Sequence, residues 1–223
     1  MVVQLWRRLM ALLHSPKAEW DRIAEDDISI GRMSLGWIVP LLAASALASF
    51  VGRTIVGMPE GFFYYRQPVM DGLIVIAVFA GLGLLSFLLF SGVIAIIAPV
   101  FGAQRDFRKA LQIAAYAPAG SLFAGLLQFI PALSFALYLG ALYSIYLLFL
   151  GVPRVLKPAE KRNLIFTIVL AILMTGMIYA IYSVSEGTRP HPADSWMEQR
   201  NAAQVEQITL AREDGLGHGF RTL

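Results

Sequence analysis

The side chains in this sequence that could do chemistry are polar residues set inside apolar stretches. From Ile113 to Gly151 no residue is charged, yet the segment holds Tyr116, Pro118, Gln128, Tyr143 and Tyr146, with Gln112 just before it. In a hydrocarbon setting a phenol or carboxamide has to find a hydrogen-bond partner. Proline leaves a carbonyl of the preceding turn without its amide donor, so Pro118 offers an acceptor. Gln112, Tyr116 and Pro118 facing Tyr143 and Tyr146 would make a small polar spot inside a helical bundle. The alternative is ordinary packing, with the break at Pro118 satisfied locally.

Other chemistry is poorly represented. There is no cysteine, which removes disulfides, thiolate nucleophiles and cysteine zinc clusters. The histidines, His14, His191 and His218, lie outside the apolar stretches. No HExxH, GxSxG, P-loop or GxGxxG pattern occurs, and Gly81-Leu82-Gly83 is too short to cradle a phosphate. Arg53, Asp71 and Glu186 sit near the ends of apolar segments and no charge falls at their centres, where an ion-coupled transporter would place one. Glu25, Asp26 and Asp27 could hold a divalent cation or a basic partner, but read first as a solvated helix end. No enzyme, metal, cofactor or nucleic-acid partner is therefore expected.

The elements that must position the polar residues are membrane helices. The chain is 57% hydrophobic and 15% charged, with a mean hydropathy of +0.65, against about 45–50% and about 25% in soluble domains. About 20 apolar residues in a helix cross a hydrocarbon core of roughly 30 Å. Five segments qualify, near 34–56, 73–97, 110–130, 132–152 and 164–184. The expected fold is all-α: a polytopic bundle of five transmembrane helices, with Pro131 folding the third and fourth into a tight hairpin. Three regions follow, with N-terminal helices over 1–32, the bundle over 33–186 and a mobile external tail over 187–223. Basic residues cluster before the first span, at Arg105, Arg108 and Lys109, and at Arg154, Lys157, Lys161 and Arg162. Those segments are read as cytoplasmic, with the N-terminus inside and the C-terminus outside.

The opening residues Leu5, Leu9, Leu12 and Leu13 recur at helical spacing with Arg7 and Arg8 among them, unlike a cleavable signal. Such a helix can lie on the cytoplasmic face with Trp6 at headgroup depth and Arg7 and Arg8 toward anionic lipid. It can equally pack against the protein itself. A second short helix is expected from Ser15 as cap, Pro16 in the first turn, and Trp20, Ile23 and Ala24 on one face. Small residues recur every four positions at Ala44, Ala48 and Gly52, at Ala77 and Gly81, at Ser121 and Gly125, at Ala136, Gly140 and Ser144, and at Gly176 and Ala180. That spacing lets membrane helices approach closely. Between the first two spans, Phe62 to Tyr65 lie among turn residues and read as an interfacial loop.

The segments "SPKAEWDRIAEDD", "YAPAGSLFAGL" and "YLLFLGVPRVLKP", in this order among five spans, resemble the bacterial branch of the Yip1-domain membrane proteins. The resemblance runs from about Leu5 to Val184 and rests on order and setting. It implies a multi-pass protein of the bacterial inner or plasma membrane and transfers no catalytic residue. Eukaryotic relatives look like membrane partners of Rab GTPases and of each other. The long cytoplasmic N-terminal domain of those relatives has no counterpart here, so GTPase binding is not carried over. Two functions remain: a non-enzymatic organiser that binds lipid bilayer and, as candidates, other membrane proteins or itself, and a small oligomeric transporter, channel or lipid-moving protein acting through the polar spot.

Overall fold

The computed structural model describes residues 2–26, 29–60, 63–187, 200, 204 and 206. The chain divides into two units, Met1–Glu186 and Gly187–Leu223. In the second, Arg200, Gln204 and Glu206 are helical. The expected mobile tail lies largely outside the described residues.

Five helices are long and apolar enough to cross a membrane: Ile30–Val56, Val69–Phe101, Phe107–Phe129, Ala136–Val155 and Glu160–Val184, here spans one to five. They are the all-α bundle that the apolar runs imply. The main difference lies at the ends of span two, where Pro68 opens the helix and Gly102, at φ 79°, closes it. Gly is the residue that enters that left-handed region without strain.

Span three is the central helix: 72% of its most apolar stretch is buried, against 22% for span two. Asp106 caps its start by accepting from the amides of Arg108 and Lys109. The helix stops at Tyr116 and restarts at Ala119 because Pro118 has no N–H for the Ala114 carbonyl. At the far end Ile130 is extended, as the residue before a proline tends to be. A short 3₁₀ turn, Pro131–Leu133, leads into span four. The hairpin at Pro131 thus comes from local backbone chemistry.

Span one widens to π-type winding at Ser34–Ile38 and again at Val51–Val56. The segment read as an interfacial loop contains two short strands, β1 (Met58–Glu60) and β2 (Phe63–Tyr65), paired antiparallel with Met58 opposite Tyr65. Pairing satisfies backbone groups that a bare loop leaves to solvent.

Several of the small residues are packing points. A Cβ on Gly52 would lie 2.1 Å from the Gln128 carbonyl oxygen, one on Gly125 2.9 Å from Ser45 Oγ, and one on Gly140 2.5 Å from the Ala124 methyl. Gly120, which the four-residue pattern did not include, meets the Gly140 carbonyl oxygen at 2.7 Å in the same test. Gly81 and Gly176 have open space instead, so their spacing reports no contact within this chain.

Two N-terminal helices, α1 (Val2–His14) and α2 (Pro16–Glu25), share the core of the bundle. Leu9, Leu12, Trp20 and Ile23 are fully buried. Pro16 occupies the first turn of α2 as expected, but Ser15 makes no side-chain capping bond.

Candidate functional site

The polar centre of the molecule lies where α1 and α2 meet span three, and Arg8 is its hub. Its Nε donates to Glu19 Oε1 at 3.0 Å, its Nη2 donates to the Asp26 carboxylate, and its Nη1 donates to the Tyr116 phenolic oxygen at 2.9 Å. The guanidinium also lies over the Tyr116 ring, 5.3 Å from the centroid. Glu19 is buried and takes a second cation, Arg22 Nη1, at 3.3 Å. Burial alone would pull the Arg8 pKa down, but the Tyr116 oxygen and the carboxylates of Asp26 and Glu19 outweigh it and hold Arg8 above the usual arginine range. The group stays cationic at any physiological pH.

Aromatic rings frame this centre. The Trp37 ring is 4.9 Å from that of Tyr116, and Trp20 meets Tyr116 edge-on at 6.4 Å. Trp20 in turn lies against Gly151 of span four, where a Cβ would come 2.6 Å from the indole. Gln112 Nε2 donates to the Asp26 carbonyl at 2.8 Å. Tyr116 and Gln112 are therefore polar residues with defined partners, but those partners come from the N-terminal helices.

The expected meeting of Gln112, Tyr116 and Pro118 with Tyr143 and Tyr146 does not occur. Tyr143 donates toward the Leu12 and Leu13 carbonyls at 3.0 Å each, where the last turn of α1 has no amides left to use them. Tyr146 is about half exposed, its ring 5.6 Å from that of Tyr143. Pro118 lines an apolar cavity of about 100 Å³ between spans one, two, three and five, with Leu42, Phe87, Leu122 and Met177.

Two of the backbone groups left open by the helix break find side-chain partners. Trp37 Nε1 donates to the Ala115 carbonyl at 2.9 Å. On the restarted helix the Ser121 amide, which has no helical acceptor, donates to Ser144 Oγ of span four at 2.9 Å. This serine pair, beside the Gly120–Gly140 contact, links spans three and four.

A surface-lying α1 would put Trp6, Arg7 and Arg8 together at the membrane, and a docked one would turn part of this set toward the protein. Trp6 and Arg7 are exposed on α1, whereas Arg8 is turned inward by Glu19, Asp26 and Tyr116. Of the acidic cluster at the end of α2, Asp26 is held by the guanidinium, and Asp27 lies outside the described residues. Among the described residues no group of three or more histidine or acidic side chains is placed to hold a metal. Glu19, Trp37 and Ser144 were missed as site residues. Glu19 stands three residues from Arg22 and looks like a solvated pair, and no local pattern marks Trp37 or Ser144 as donor or acceptor.

Beside Arg8 a cleft of about 610 Å³ opens between α1 and the start of span one. Gln4, Leu5 and Arg8 line it from α1, residues 31–33 and 35–37 from the start of span one, and Tyr116 from span three.

Five membrane-crossing helices around a proline-broken central span, with two N-terminal helices built into the same core, define a polytopic helical membrane protein. Such a protein contacts the lipid bilayer. The chain matches the Yip1 domain over residues 10–182 and belongs to the Yip1-domain family. The match is to the domain as a whole and distinguishes no branch of it. Arg8 precedes the matched region, while Glu19, Asp26 and Tyr116 fall within it. No curated protein and no solved structure matches the chain.

Proposed function

We propose that the protein is a non-enzymatic membrane organiser whose docked N-terminal helices present a fixed cytoplasmic platform to other membrane proteins, to a second copy or to lipid. The observation that carries this reading is the Arg8 centre: one guanidinium holds α1 to α2 and to span three. The outward side of α1 then presents Val3, Trp6 and Arg7 to its surroundings, a basic and aromatic surface of the kind that meets anionic membrane or an acidic partner. The proposed setting is a bacterial inner or plasma membrane, N-terminus inside and C-terminus outside.

Transport is the weaker reading. Tyr116 is engaged by the Arg8 guanidinium and two indoles where it borders the cleft, and Pro118 faces a separate apolar cavity that shares no lining residue with it, which gives a polar solute no continuous lining. Crosslinking in membranes with wild type and a Trp6→Ala, Arg7→Ala double variant tests the platform. A reproducible membrane protein captured by wild type and lost by the variant supports it, and unchanged capture refutes it. Solute flux or lipid scrambling in liposomes, reduced by Tyr116→Phe, would revive transport.

A further inference from the structure

We infer that the cleft between α1 and the first turns of span one binds one anionic phospholipid, its phosphate on Arg32 and an acyl chain against Leu5, Met33 and Leu35. A volume of about 610 Å³ falls within the roughly 300–1,000 Å³ range of small-molecule sites and exceeds what a lone phosphate fills. Its charged lining residues are both cations, Arg8 and Arg32. They differ in what they have left to give. Arg8 gives three of its five N–H groups to Glu19, Asp26 and Tyr116, and its charge is met by the two carboxylates. Arg32 is exposed and makes no ion pair with the described residues, so its guanidinium can take two phosphate oxygens side by side.

The rest of the lining is amphipathic. Leu5 is half-buried, Met33 buried, and Leu35 is 66% exposed on a helix that enters hydrocarbon within a turn or two. The Trp37 indole N–H is already committed to the Ala115 carbonyl, so Trp37 adds no free polar group to the lining. Gly31 and Gly36 have no heavy atom within 4 Å of where a Cβ would stand, and Gly36 lies in the π-wound stretch Ser34–Ile38. Such π-turns are common at functional sites. A cation at the rim, apolar walls below it and a position at the mouth of a span fit a phospholipid better than a free anion or an acidic peptide. This deepens the proposed organising role by naming its lipid, but it stands on the cleft and not on the outer side of α1.

The test uses the full chain, delipidated in neutral detergent, with lipid retention read by native mass spectrometry. With phosphatidylglycerol the expected result is one lipid per chain, retained in clear preference to phosphatidylcholine. Arg32→Ala should weaken retention about fivefold, the weight of one arginine at an anionic surface. Gly36→Leu extends into open space, so it should keep the wild-type melting temperature while blocking the lipid. Equal retention of the two lipids, unchanged binding in either variant, or displacement of the lipid by inorganic phosphate or an acidic peptide would overturn the inference. Partner capture through Trp6 and Arg7 is read separately, so either reading can fail alone.

Discussion

The Arg8 guanidinium donates to the Tyr116 phenol at 2.9 Å and joins residues 108 positions apart. The contact explains how a charge is tolerated against a membrane bundle: Glu19 and Asp26 balance it, and Tyr116 takes the donor that faces span three. Removing Arg8 leaves buried Glu19 without its main partner. Arg8→Ala should therefore destabilise the protein by roughly 2–3 kcal/mol. Tyr116→Phe, which keeps the ring under the guanidinium, should cost about 1 kcal/mol. Unfolding by SDS in detergent micelles orders the two.

Trp20 and Gly151 make a second lock. Gly151→Ala pushes a methyl into the indole at 2.6 Å and should cost roughly 1–3 kcal/mol through overpacking. Trypsin cleavage at Lys17 and Arg22 should quicken as α2 lifts. Gly81→Ala and Gly176→Ala enter open space and should change stability by less than about 0.5 kcal/mol, or raise it slightly through helix propensity.

Ser144 supplies the oxygen that the restarted helix of span three needs. Ser144→Ala leaves the Ser121 amide without it and should cost on the order of 0.6 kcal/mol, at most about 1.7, as interhelical hydrogen bonds in membranes do. Thermal melts in detergent, with Tyr146→Phe as a control on the same helix, measure this.

The five spans and the reversal at Pro131 are legible in the sequence because both are local. Apolar length is set by the bilayer, and proline restricts itself and the residue before it. Tyr116 and Gln112 could also be marked, as polar groups in apolar surroundings that must find partners. Which partners they find was not legible. Arg8 and Asp26 lie 108 and 86 positions away from them in the chain, and the helical spacing of α1 serves a lipid-facing helix as well as a docked one. The role of Ser144 was hidden for a similar reason: a small residue on a packing stripe looks the same whether or not its hydroxyl caps a neighbouring helix.

The proposed orientation rests on the distribution of Lys and Arg around the spans. A reporter placed after residue 104 should be cytoplasmic, and reporters at Pro131 and after residue 187 external. A cytoplasmic reporter at Pro131 would overturn the orientation proposed for the platform.

The most direct test of the docked N-terminal helices is a double-mutant cycle between Arg8→Ala and Tyr116→Phe, read by SDS unfolding in micelles. A hydrogen bond made in the folded protein predicts that the double variant is less destabilised than the sum of the singles, by about 1 kcal/mol. Strict additivity would mean that the two side chains do not touch and that α1 is not held to span three.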